Sequence, residues 1–292
     1  MKQIFRLLSQ AVRVFTDSFA PMHAAALAFY TIFSLAPLVV FAVAIAGLFV
    51  GRAAAESEFL TLFQSMLGAE SAEFVREIAT ARATQSVNTT YTIIAIGVLL
   101  VGASVVFSQL KLSLDAIWGI MPAKTSLATG ALDTLRRRSL AVVMIFLAAG
   151  ALILSVILYL LLAGVAAFLE PWFPGISQVE PYLTWLITPV VAFVTFVIVF
   201  KLLPEARPGW REVVVGASLS AVLFTLGAAG VRTFLSLSGT VSLYGAAGAL
   251  IAILLWVYYS SWTVLYGAAF TRVYGEYRTA ATPQPVTGPE SS

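Results

Sequence analysis

Residues 244–270 have the sequence YGAAGALIAILLWVYYSSWTVLYGAAF, which contains no charged side chain. A helix needs about 20 apolar residues to cross a bilayer core about 30 Å thick, so this stretch is long enough to span a membrane. Five further stretches reach or approach that length: 24–50, 91–110, 139–167, 182–200 and 213–231. Strands of a membrane barrel would alternate apolar and polar residues, and these stretches do not. The sequence therefore predicts an all-α, polytopic transmembrane helix bundle with six spans.

The composition of the whole chain indicates the same class of protein. Of its 292 residues, 60% are hydrophobic and 11% are charged, whereas soluble domains average about 45–50% apolar and about 25% charged residues. The absence of cysteine excludes disulfides, thiol catalysis and thiolate metal sites. The one histidine, His23, makes a poor metal site by itself. No phosphate loop or hydrolase motif is present, so we expect no metal, no cofactor and no catalytic residues.

Basic residues lie mostly on one side of the six-span arrangement. Thirteen of the 17 Lys and Arg residues lie at the amino end, in the second and fourth loops and in the tail. The other four lie on the opposite side: Arg52, Arg76, Arg82 and Arg232. Because cytoplasmic loops carry the excess of Lys and Arg, both termini are predicted to be cytoplasmic.

The segments around the spans have their own patterns. Residues 1–23 are predicted to form a basic amphipathic helix on the inner membrane surface, ended by Ala20-Pro21, with one apolar face: Ile4, Leu8, Val12, Phe15 and Phe19. The alternative for this segment is a frayed tail. The outer loop, about 51–90, has helical spacing of apolar residues and is predicted to be helical. The transmembrane domain then covers 24–274, and residues 275–292 are predicted to be disordered.

The strongest polar pattern at membrane depth lies in the second span and just beyond it. Ser104, Ser108, Lys111 and Asp115 are spaced 4, 3 and 4 residues apart, which places them on one stripe of a helix. Lys111 and Asp115 are placed to pair as i and i+4 neighbours. One interpretation is a hydrophilic lining of a cavity open to the cytoplasm. The alternative is that the serines bond to their own helix while Lys111 extends to the interface.

Other polar or helix-bending residues are weaker candidates. Pro37 and Pro189 lie inside predicted spans and are candidate hinges, although a static kink explains them as well. Arg232 is a candidate anion contact at the outer mouth, or a side chain that extends to the interface. The remaining candidate lining residues carry a hydroxyl or an aromatic ring: Tyr30, Ser34, Tyr259, Trp262 and Tyr266. The last three are predicted to share one face, where core packing is the alternative.

Four strings occur in a characteristic order. They are AAALAFYTIFSLAP at 24–37, LDAIWG at 114–119, Leu203-Pro204 followed by WRE at 210–212 and Gly216-Ala217, and YGAAGALIAILLWVYY at 244–259. Together they resemble the YihY/BrkB family of bacterial inner-membrane proteins over roughly Phe15–Tyr274. The resemblance implies a six-helix inner-membrane protein whose relatives have been labelled ribonuclease-like, linked to serum resistance or suggested to move lipids. Asp115 stands where that family often has Asn, and Gly267-Ala268-Ala269 where it often has Gly-Ala-Glu.

We expect a transporter or flippase-like protein that handles an amphipathic or anionic molecule, with lipid as one candidate. Lys111 would attract the anion, Asp115 would tune Lys111, and energy would come from a gradient or a partner. The alternative is a non-transporting scaffold or envelope-integrity component. A membrane-embedded hydrolase or ribonuclease fits least, because phosphodiester hydrolysis usually needs clustered metal ligands. Membrane lipids are the expected partners and nucleic acid is not. A homo-oligomer or an envelope partner protein is left open.

A single cysteine in the third loop tests the predicted topology. The loop 170–181 has no Lys or Arg and is predicted to be exported. A membrane-impermeant maleimide should therefore label Ser177→Cys in spheroplasts. Thr125→Cys in the second loop is the matched control and should react only after permeabilisation. Labelling of Ser177→Cys by permeant reagents alone would mean that the arrangement is inverted or miscounted.

Overall fold

The structure, a computed structural model, describes residues 2–32, 105–120, 168–173, 180–238 and 246–281, together with scattered positions between 47 and 76 and between 150 and 166. All regular secondary structure within these residues is α-helical, which confirms the predicted all-α class for this part of the chain. Most of the first three predicted spans, and most of the outer loop, lie outside the described residues.

The helices of the described part match the predicted apolar stretches. α1 covers Lys2–Asp17, and α2 and α3 cover residues 20–32 and 105–117. α4 covers Glu180–Leu202, α5 Trp210–Ser238 and α6 Ala246–Ala281. α5 and α6 contain stretches that are long and apolar enough to cross a membrane, Trp210–Val231 and Ala247–Ala280, and α4 contains a shorter apolar stretch, Ile187–Leu202. The last three predicted spans therefore lie almost entirely within helices.

α5 packs against α4 on one side and against α6 on another. Near the start of α5, Gly216 lies against Thr271 of α6, and further along Gly227 lies against the ring of Tyr259. The residue numbers rise along α5 while they fall along α6, so the two helices are antiparallel. Small residues at such contacts let helix backbones approach closely, which is the usual means of packing helices in a membrane.

α1 is part of the bundle because it packs against α6. Its buried face consists of Leu7, Ala11 and Phe15, whose side chains belong to the main apolar core. Of the residues predicted to form one apolar face of this helix, Phe15 is buried and Leu8 is half-buried, whereas Ile4, Val12 and Phe19 are exposed. The spacing of apolar residues predicts an apolar face, but contact with α6 decides which of its side chains are buried within the protein.

The junction between α1 and α2 is a two-residue break at Ser18 and Phe19. Phe19 has a φ of 53°, a left-handed conformation that stops α1. Pro21 then lies in the first turn of α2, where its missing N–H leaves no hydrogen bond unmade. α1 therefore ends just before Ala20-Pro21, close to the predicted end.

α6 continues beyond the predicted end of the transmembrane domain at Tyr274 and reaches Ala281. Arg278 donates to Glu212 of α5 at 2.7 Å, so the last turns of α6 are tied to the first turn of α5. The predicted disorder of 275–292 is therefore wrong for 275–281, and the rest of the tail lies outside the described residues. Composition gave no sign of this contact, because it depends on a residue 66 positions away.

A pair of Gly→Ala changes on α5 tests the close packing against α6. A Cβ at Gly216 would meet Thr271 and would lie 3.1 Å from the backbone oxygen of Gly267, whereas a Cβ at Gly230 meets nothing within 4 Å. Gly216→Ala should lower stability by about 1–3 kcal/mol because of overpacking. Gly230→Ala should be neutral or stabilising by up to about 1 kcal/mol, because Ala favours helix more than Gly. Thermal unfolding in detergent measures both, and equal behaviour of the two variants would contradict the close packing.

Candidate functional site

The polar stripe predicted from the sequence lies on α3. Ser108, Lys111 and Asp115 are all within this helix, and Ser104 lies outside the described residues. The Lys111 ammonium donates to Asp115 Oδ2 at 2.5 Å, as the i, i+4 spacing predicts. Lys111 is therefore paired along its own helix.

A third member of the cluster, Glu205, comes from the loop between α4 and α5. The Lys111 ammonium also donates to Glu205 Oε1 at 2.6 Å. The backbone N–H of Glu205 in turn donates to Asp115 Oδ1 at 3.0 Å. The two carboxylate oxygens of Asp115 therefore accept from two different donors, the Lys111 ammonium and a backbone N–H of the 203–209 loop.

Sequence reasoning missed Glu205. Its sequence neighbours offered one signal: it directly follows Leu203-Pro204 at the end of a predicted span, on the side predicted for Lys111. That signal places the two residues at the same membrane face but gives no distance between them. Only the packing of α3 beside the α4–α5 loop brings the ammonium and the carboxylate together.

The three charges differ in their exposure to solvent. The Lys111 side chain is 16% exposed and that of Asp115 is 9% exposed, whereas that of Glu205 is 51% exposed. Burial lowers the pKa of Lys111, but hydrogen bonds and charges from Asp115 and Glu205 raise it by more, so the pKa lies above its ordinary value. The cluster thus consists of a stably protonated lysine, one buried carboxylate and one carboxylate in contact with water.

Other basic residues at this end of the bundle bind acceptors within the chain. Arg272 of α6 donates to the carbonyl of Ile117 at the end of α3, at 2.6 Å, and to Glu276 at 2.7 Å. Lys201 of α4 donates to the carbonyl of Pro208 at 2.7 Å and lies 5.0 Å above the ring centre of Trp210. These contacts join the ends of α3, α4, α5 and α6 around the Lys111 cluster.

The three aromatic residues predicted to line a pathway from the last span all lie on α6. The Tyr259 hydroxyl donates to the carbonyl of Leu223 on α5 at 2.7 Å. Trp262 and Tyr266 instead pack edge-on against Phe15 of α1, at centroid distances of 4.7 and 5.9 Å. The three rings therefore contact two different helices, and their geometry matches the alternative of core packing.

The other predicted site residues are not joined to the cluster by any contact of the described residues. Tyr30 is exposed and packs edge-on against its neighbour Phe29. Pro189 lies inside α4, which continues through it, so its role as a hinge stays a prediction. Ser34, Pro37 and the side chain of Arg232 lie outside the described residues.

His23 links α2 to α3 through its contact with Gln109. Its Nδ1 lies 3.2 Å from the Gln109 amide nitrogen, and burial lowers the pKa of His23, which keeps the ring neutral at pH 7. Among the described residues, no three His, Asp or Glu side chains are grouped to hold a metal ion.

Three hydroxyls in the interior of α5 and α6 are buried without a hydrogen-bond partner among the described residues: Ser220, Ser260 and Thr263. Ser220 is on α5 and lies against Gly267 of α6, which places it between the two helices. A buried hydroxyl without a partner costs about 1–3 kcal/mol. Water or a polar group of a ligand would remove that cost.

Comparison with known proteins adds the family. A family model described as virulence factor BrkB matches residues 11–290. UPF0761 membrane proteins from Yersinia pestis (strain Pestoides F) and from Yersinia pseudotuberculosis serotypes O:1b and O:3 are each 34% identical over 90 residues. That segment is 30% of this chain and 31% of each relative, so the match spans about a third of the relatives' length. No solved structure matches.

Removing the buried carboxylate should destabilise the protein more than removing the exposed one. Asp115→Ala removes one of the two carboxylates that accept from the Lys111 ammonium and the acceptor of the Glu205 N–H, and hydrogen bonds to charged groups contribute about 1.5–3 kcal/mol each. Glu205→Ala removes an exposed ion-pair partner, which contributes about 0–1 kcal/mol. Asp115→Asn keeps an acceptor oxygen and should be intermediate. Thermal unfolding in detergent gives the order, and equal losses for the two alanine variants would contradict this account.

Proposed function

The chain belongs to the BrkB family of membrane proteins, and from this premise we propose that it is an inner-membrane transporter or flippase-like protein for an anionic amphipathic molecule. A lipid with a phosphate headgroup is the substrate class that this proposal favours. The proposal includes six spans with both termini in the cytoplasm, and no catalytic role.

The observation that carries the proposal is the unequal exposure of the two carboxylates that bind Lys111. Asp115 is held on both oxygens and is almost buried, whereas Glu205 is half-exposed on a loop. A phosphate group arriving from water can therefore replace Glu205 on Lys111 while the Lys111–Asp115 pair stays intact. Glu205 then acts as an internal competitor that neutralises Lys111 when no substrate is bound.

Exchange of Glu205 has a mechanical consequence for the helices. Glu205 lies in the 203–209 loop, which connects α4 to α5, and its contacts with Lys111 and Asp115 hold that loop to α3. Substrate binding at Lys111 would remove one of these contacts and free the α4–α5 connection to shift. Pro189 in α4, and Pro37 in the first predicted span, would allow such a shift.

The distribution of charge supports the proposed orientation. Lys111, Lys201, Arg272 and Arg278 gather at the end of the bundle where α3, α4 and α6 finish and α5 begins. The antiparallel order of α5 and α6 agrees with consecutive membrane crossings. Basic residues at one end are typical of the cytoplasmic side.

A closed scaffold is the second candidate. The tight contacts of Gly216 and Gly227, and the aromatic packing of α1 on α6, favour a rigid bundle without an open pathway. In that case α1 and the outer loop would serve as surfaces for an envelope partner or a second copy of the chain.

Lys111→Ala and Glu205→Gln are expected to have different effects on substrate movement. The first removes the anion contact and should slow translocation of fluorescent phosphatidylglycerol in liposomes at least tenfold. The second removes the charge of the Glu205 side chain, which competes with substrate for Lys111, while keeping its size. It should leave the rate of translocation unchanged or raise it. Dithionite quenching of the outward-facing label measures the rate, and the unfolding temperature of each variant confirms folding.

A folded Lys111→Ala variant that moves lipid at the wild-type rate would reject the role of Lys111. If the wild-type chain moves no lipid in liposomes and co-purifies with a stoichiometric protein, the scaffold function replaces the transporter.

A further inference from the structure

α1 and the last turns of α6 form the two walls of an open cleft of about 550 Å³. Small-molecule sites typically enclose about 300–1,000 Å³, so the cleft is large enough for a ligand. The polar residues that α1 contributes to its lining are Gln3, Arg6, Gln10 and Arg13. α6 contributes Glu276 and Tyr277. None of these residues belongs to the Lys111 cluster.

The helix geometry of α1 fixes the polar stripe in the cleft. Gln3, Arg6, Gln10 and Arg13 are spaced 3, 4 and 3 residues apart, so they share one side of α1. The neighbouring side, with Ala11 and Phe15, is buried against α6. Since the buried side holds the helix in place, the polar stripe cannot rotate away from the cleft.

The two arginines differ from the other basic residues at this end of the bundle. Lys111, Arg272 and Arg278 each bind a carboxylate. Arg6 and Arg13 are exposed, and within the described ranges neither guanidinium has an ion-pair partner. The one acidic residue of the cleft, Glu276, is already bound to Arg272 at 2.7 Å. The cleft therefore has an excess of positive charge.

We propose that this cleft binds a phosphate-bearing anion through Arg6 and Arg13. Guanidinium groups bind phosphate with two parallel hydrogen bonds. Seven residues separate the arginines by about 10 Å along the helix axis, a distance that two long side chains can close around one phosphate group. Gln3 and Gln10 supply amide donors beside them.

The phosphate can belong to a lipid headgroup or to a soluble phosphate compound. Phe5 and Val12, on a third side of α1, are exposed apolar side chains, 76% and 50% exposed, which fits a helix at a membrane surface. Both sources offer the same chemistry to the arginines. The proposal does not depend on transport by the Lys111 cluster, so either can fail without the other.

Native mass spectrometry of the full chain in detergent tests the lipid source. With an equimolar mixture of phosphatidylglycerol and phosphatidylcholine, the wild-type chain should retain phosphatidylglycerol preferentially. Arg6→Gln with Arg13→Gln should weaken this retention at least tenfold. The matched control, Arg207→Gln with Arg211→Gln, removes two exposed charges from the same end of the bundle and should retain the lipid like the wild type. Titration calorimetry with inorganic pyrophosphate tests the soluble source on the same three proteins.

Loss of phosphatidylglycerol preference in the Arg6/Arg13 variant alone supports the cleft with a lipid headgroup. Loss of pyrophosphate binding in that variant alone supports the cleft with a soluble phosphate compound. Equal weakening in the two double variants, or no binding of either probe by the wild type, overturns the proposal. If the glutamine variant unfolds, Arg6→Lys with Arg13→Lys keeps the charge, loses the two-pronged geometry and should still weaken binding several-fold.

Discussion

Hydrocarbon offers no hydrogen-bond partner, and this constraint decides where polar groups of the chain can lie. Several hydroxyls of the described helices are satisfied locally: Thr195, Ser218 and Thr225 each donate to the carbonyl four residues earlier. Tyr259 and Tyr266 instead reach across to carbonyls of neighbouring helices, Leu223 of α5 and Leu8 of α1. The helices are thereby fixed to each other by the same bonds that satisfy their polar groups. Ionised groups cannot be satisfied as easily, so they collect at the end of the bundle.

Two sets of basic residues at that end differ in whether a carboxylate already binds them. Lys111 is neutralised by Asp115 and Glu205, and an anion must displace a carboxylate before it can bind there. Arg6 and Arg13 have no such competitor within the described residues and line an open cleft. An anion could therefore bind in the α1–α6 cleft without displacing a carboxylate from Arg6 or Arg13. If both sites operate, the cleft would hold its anion at lower concentrations than the Lys111 cluster.

α1 connects these features because it has three different surroundings. One side is packed into the core through Ala11 and Phe15, a second lines the cleft, and a third exposes Phe5 and Val12. A helix held only by lipid would move freely over the membrane surface. Here the contacts of Phe15 with Trp262 and Tyr266 fix its position relative to α6. An anion bound in the cleft would therefore contact α6, the longest helix that the structure describes, directly.

The sequence by itself determined the class of membrane protein, the all-α fold of the described residues and the approximate positions of the last three apolar helices, because length and apolar composition are local properties. It also predicted the Lys111–Asp115 pair, since i, i+4 spacing fixes distance within one helix. It did not predict Glu205, which apolar residues of α1 are buried, the contact of Tyr259 with a different helix from that of Trp262 and Tyr266, or the end of α6. Each of these depends on which side of a helix meets a neighbour distant in sequence. Helical periodicity places residues on a face but does not say which helix that face will contact, and only the tertiary structure decided it.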